Sequence, residues 1–86
     1  MALSVAQVVR LNALRQDRRR IEKRMQNYAA RYDKYRDAQH QAELAHEGVR
    51  AVRARRLMNE FRIMQVNCEI ELSAVISETR RLENMR

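Results

Sequence analysis

Proline is absent from this chain, and its one glycine stands at position 48 of 86. Strand-rich and loop-rich folds need turn residues at many places, which this chain does not supply. Ala, Arg, Glu, Leu, Gln and Met dominate, and all are good helix formers. A chain this short holds one domain, whose single core is only marginally stabilising and is often completed by oligomerisation. The expected fold class is all-α, one helical domain over residues 1–86.

Periodicity refines this. Leu11, Leu14, Ile21, Met25, Tyr28, Tyr32, Tyr35, Ala42 and Val49 follow steps of three and four, with interruptions at Arg18, Gln39 and His46. A sustained 3.5-residue period marks a coiled-coil-like seam against another helix. A second seam, Ala54, Leu57, Phe61, Met64, Cys68, Val75 and Leu82, is out of phase with the first by one residue. The phase changes close to Gly48. The spacing predicts an antiparallel two-helix hairpin, with helices over about 4–46 and 50–84 and a turn at 47–49.

The helix ends give mixed signals. Ser4 and Gln7 have the spacing of a capping box, and Leu3 and Val8 occupy hydrophobic-staple positions. Near Gly48 the signals oppose a break. Nothing between Ala45 and Val52 is a good N-cap. Glu43 and Glu47 would sit at a helix C-terminus and Arg50 and Arg53 at an N-terminus, against the helix dipole. One internal Gly costs only ~1 kcal/mol. The alternative is therefore one long continuous helix in a coiled coil, about 125 Å long. Charge favours the hairpin: a turn at Gly48 would set Glu71 opposite Lys23–Arg24, Glu78 opposite Arg15 and Arg18, and Arg62 near Asp33 and Asp37.

Apolar residues alternate from Val66 to Ala74, as in a strand, but no second run offers an edge to pair with. Read as helix, Ile63, Val66 and Ile70 form a second stripe beside Phe61, Met64 and Cys68. A helix apolar on two sides packs against two neighbours. The partner interface is accordingly expected at Phe61, Ile63, Met64, Val66, Ile70, Leu72, Val75 and Ile76. Left in water, this stripe would forgo about 1.5–3 kcal/mol per fully buried side chain. Met25, Met58, Met64 and Met85 lie on or near the apolar faces, where their adaptable packing suits a partner helix as well as a core.

No constellation for catalysis is legible. Glu43 and His46 match the Glu-x-x-His spacing of di-iron bundles, but a second motif and further inward carboxylates are missing. His40, Glu43 and His46 rotate away from one another on a helix. Glu69 and Glu71 face different sides of a helix, so they are no acid/base pair. Cys68 lies on a seam with no His at a readable spacing, and one Gly cannot build a phosphate loop. The tyrosines sit on the main seam, where core packing is the plain reading. No enzyme activity, cofactor or metal is expected.

The net charge is +7, and 16 of the 18 basic residues are Arg. Such a surface attracts nucleic acid, anionic lipid or acidic protein. The basic patch falls in two blocks: Arg15, Arg18, Arg19, Arg20, Lys23 and Arg24, then Arg50, Arg53, Arg55 and Arg56. Arg18–Arg20 fan around a helix, and no exposed aromatics alternate with basic residues to stack on bases. A protein partner or self-assembly is thus the first expectation and nucleic acid the second.

The lone Cys68 fits a reducing compartment. Met1–Gln16 carries Arg10 and Arg15 and no acid, as a mitochondrial presequence would, but it has one hydroxyl residue and its apolar pattern runs on into the chain. It reads as the start of the fold. The expected location is intracellular, the cytoplasm before an organelle matrix. No run approaches the ~20 apolar residues of a transmembrane segment.

These features converge on a non-catalytic helical assembly subunit that oligomerises or docks into a larger complex. The first alternative is an Arg-rich nucleic-acid-binding protein. In outline only, a basic two-helix coiled coil also resembles type III export stalk proteins and small secretion chaperones. That resemblance implies binding to an export ATPase or an aggregation-prone substrate and assigns no residue here.

Overall fold

The computed structural model describes residues 2–85. Two helices, α1 (Val5–Leu44) and α2 (Gly48–Glu83), run antiparallel along each other as a rod of 65 × 14 × 13 Å. This is the hairpin and not the continuous helix. The alternating segment from Val66 to Ala74 lies wholly within α2, and there is no strand among the described residues.

The start of α1 forms as its sequence predicts. The Gln7 backbone N–H donates to Ser4 Oγ at 3.2 Å, and the Ser4 N–H donates to Gln7 Oε1 at 2.8 Å. This capping box satisfies donors that the first turn cannot pair internally. Leu3 packs against the cluster of Leu11, Leu14 and Leu82, while Val8 stays exposed.

The reversal lies earlier than expected and is built differently. Ala45, His46 and Glu47 connect the helices, and Gly48 is already the first residue of α2. The Glu47 N–H donates to Ala42 O at 2.8 Å and the His46 N–H to Glu43 O at 3.1 Å. Those two bonds are the Schellman pattern, which satisfies the last carbonyls of a helix through one residue in the left-handed region. That residue is His46, at φ 57°. Glycine usually takes this place, but His is among the few other residues enriched there. Gly48 has no positive φ. The poor N-cap read from the sequence is real, for Glu47 makes no side-chain cap to α2. The chain turns because the C-terminal end of α1 is well closed. Arg50, adverse at a helix N-terminus, is paired with Glu47 at 2.6 Å.

The seam of α1 follows Leu11, Leu14, Ile21, Met25, Tyr28, Tyr32, Tyr35, Gln39 and Ala42, all buried or half-buried. On α2 the steps of three and four run unbroken through Ala51, Ala54, Met58, Phe61, Gln65, Cys68, Leu72, Val75, Thr79 and Leu82, again all buried or half-buried. Three expected seam residues fall outside it. Leu57 is half-buried beside the seam, where Met58 takes its place. Val49 belongs to α2 and is 77% exposed, and Met64 is 40% exposed, with Gln65 at that height instead. Ala54, Phe61, Cys68, Val75 and Leu82 keep their expected places, while the alternate seam positions fall one residue later, at Met58, Gln65 and Leu72.

His46→Gly should raise stability by about 1 kcal/mol, because it removes the left-handed penalty of a side chain bearing Cβ. Gly48→Ala should be neutral or stabilising by up to about 1 kcal/mol, because its Cβ would meet nothing within 4 Å. Chemical denaturation followed by helical circular dichroism checks both. A clear loss of stability in Gly48→Ala would return the hinge to the glycine.

Candidate protein-docking face

The eight residues expected at a partner interface divide between two sides of α2. Phe61, Leu72 and Val75 are half-buried in the seam. The Phe61 ring stacks on Tyr35 at 5.6 Å between centroids, lies 6.2 Å from Tyr28 and has the Arg31 guanidinium 5.4 Å from its centre. Val75 packs against the leucine cluster, and Ile76 is half-buried. Ile63, Met64, Val66 and Ile70 are exposed, at 60%, 40%, 42% and 64%.

Ile63, Val66 and Ile70 form one row. Steps of three and four keep side chains on one helical face. Helical rotation of 100° per residue puts this face on the side of α2 opposite Phe61, Cys68 and Leu72, and so away from α1. Asn59 precedes the row and Ser73 and Ser77 follow it, so the apolar stretch is short. Exposed Arg62 and Glu69 border the same edge. Neither forms an ion pair among the described residues.

The basic residues make two separate patches. The first block and the Arg50–Arg56 block lie roughly 30 Å apart along the rod at 1.5 Å rise per residue. In the first, Arg18 pairs with Glu22 at 2.9 Å, Arg20 approaches Asp17 at 3.9 Å and Arg24 pairs with Glu71 across the seam. Arg15, Arg19 and Lys23 are exposed without an acidic partner among the described residues, as are Arg53, Arg55 and Arg56 near the turn. An open groove of about 760 Å³ runs beside the Arg24–Glu71 pair, lined by Ile21, Ala74 and Val75 and by residues of both charges.

The expected cross-helix pairs are realised in part. Glu71 meets Arg24. Glu78 meets Arg10, not Arg15 or Arg18, through two hydrogen bonds of 2.9 Å. Arg62 is far from its expected role, since Arg36 takes both Asp33 and Asp37 at 3.5 and 3.9 Å. An earlier turn moves each α2 residue's partner toward the start of α1, and Arg side chains reach further still.

Of the candidate chemical groups, Glu43 accepts from Gln39 at 3.0 Å, and His46 leaves the helix, so they do not share a helical turn. Cys68 is a buried free thiol. No group of three His, Cys, Asp or Glu placed to hold a metal ion occurs among the described residues. No helix among them is long and apolar enough to cross a membrane. No protein-family model matches the chain, and no curated protein or solved structure is significantly similar to it.

The Arg10 hydrogen bonds, with its charge and that of Arg81, hold the Glu78 carboxyl below its ordinary pKa. Contact with Glu78 and Glu71 raises Arg10 and Arg24 in turn. A lowered folded value means that the contribution of Glu78 is complete above the ordinary carboxylate range and is lost as pH falls through the folded value. Urea midpoints of the native protein and Glu78→Gln should therefore differ at pH 7, and the difference should be smaller at about pH 3, below the ordinary carboxylate range. An equal gap at both values would show that the ionised carboxylate contributes nothing.

Proposed function

We propose that the chain is a non-catalytic, intracellular assembly subunit that docks on protein through the outer face of α2. The observation that carries this reading is the row Ile63, Val66 and Ile70, exposed on the face turned away from α1. Fully burying such a side chain is worth about 1.5–3 kcal/mol. These three are already partly covered, which lowers the figure, yet a few kcal/mol is large beside the ~5–15 kcal/mol of a small domain. The hairpin has little else to draw on: among the described residues the buried ones are Leu11, Leu14, Ile21, Ala42, Ala51, Ala54, Cys68 and Leu82, and three of those are alanines.

Nucleic-acid binding is the second reading, favoured by the unpaired Arg53, Arg55 and Arg56. It is weaker because the two basic blocks stand apart and the tyrosines lie in the seam. Its mark would be affinity for mixed DNA or RNA that falls steeply with salt.

Native mass spectrometry of the tagged chain recovered from its host tests the docking reading. Ile70→Asp should abolish the assembly while circular dichroism stays helical. Arg→Gln changes at Arg53, Arg55 and Arg56 should leave its mass unchanged. An assembly of undiminished size with Ile70→Asp would overturn the reading.

A further inference from the structure

We propose that the occupant of this face is a second copy of the chain, docked antiparallel on the same face about a two-fold axis level with the Met64–Gln65 bond. The proposal rests on the docking reading above and adds the partner and its register.

A two-fold interface must be self-complementary: if residue i touches residue j of the partner, j touches i. The outer face of α2 meets this condition in one register. Asn59, Ile63, Val66 and Ile70 alternate at steps of four and three, as the core positions of a coiled coil do. Antiparallel docking about that axis sets Ile63 on Val66 of the second copy and Val66 on its Ile63. Asn59 of each copy then covers Ile70 of the other.

The charges decide the register. Arg62 and Glu69 stand one heptad apart on the same edge of the row, both exposed and both without an ion pair among the described residues. In this register each Arg62 meets the Glu69 of the other copy, so one residue pair supplies two symmetric ion pairs flanking the apolar centre. A parallel arrangement would stack Arg56 on Arg56 and align the two arginine blocks. The antiparallel one sets Arg56 against Ser73. The α2 helices then form the middle of the assembly, with α1 on each outside.

The apolar row is short, about 10 Å from Ile63 to Ile70 at 1.5 Å per residue. Stable interfaces bury about 1,200–2,000 Å² in total. The association is accordingly weak and concentration-dependent, so its flanking charges carry much of it.

Sedimentation equilibrium of the purified chain over a micromolar to sub-millimolar range tests this. The native chain should dimerise. Arg62→Glu and Glu69→Arg should each weaken dimerisation by about tenfold or more, since each change replaces two attractions with two repulsions. The double variant should recover it, and so should a mixture of the two single variants, whose unlike edges match. Both positions are exposed, and circular dichroism verifies that helicity is unchanged. A chain that stays monomeric throughout, or single variants that dimerise as the native chain does, would overturn the proposal. Neither result touches the docking reading, which fails only if Ile70→Asp leaves the host assembly intact.

Discussion

Every other feature of this molecule depends on the seam between α1 and α2, because two helices have no second layer to lean on. The seam is graded in bulk. Ala42, Ala51 and Ala54 are buried beside the reversal. Tyr28, Tyr35 and Phe61 fill the middle with aromatic rings, and Leu11, Leu14, Val75 and Leu82 close the far end. A connection of only three residues, Ala45–Glu47, holds the helices close together where they meet. Helix axes separate by about 8–10 Å according to the side chains between them, and alanine permits the near end of that range. The large rings can be accommodated only further along the rod.

The reversal in turn sets which residues face each other. Closing α1 through His46 starts α2 at Gly48 and brings Ala51, Ala54, Met58 and Phe61 into phase with α1. The same step carries Glu78 to Arg10 and removes Arg62 from the aspartates of α1. Arg62 is thereby left free on the outer edge of α2, where it borders the row of isoleucine and valine. A choice made in a three-residue turn thus reaches a surface some 25 Å away at 1.5 Å per residue.

That surface is where the molecule has unused capacity. The hairpin buries one face of each helix, and α2 carries apolar residues on two. Its inner face is committed to Tyr28, Tyr35 and the leucine cluster. Its outer face has the spacing of a second seam with opposite charges along one edge. The arginine blocks are divided in height and partly neutralised by their own acids, which leaves the apolar row as the more specific feature.

The sequence by itself determined the helical class, the capped start at Ser4, the seam of α1 and the second stripe on α2, since each depends on spacing along one helix. It also placed Glu71 at Arg24, because that pair tolerates a small error in the turn. Only the tertiary structure decided the position of the reversal, the outward turn of Val49 and Met64, the inward place of Gln65 and the pairing of Glu78 with Arg10. The reason is physical. A left-handed histidine is adopted for the sake of two backbone hydrogen bonds and the packing beyond them, and no pattern of side chains announces it, whereas the one glycine drew the expected turn to a residue that the helix simply absorbs.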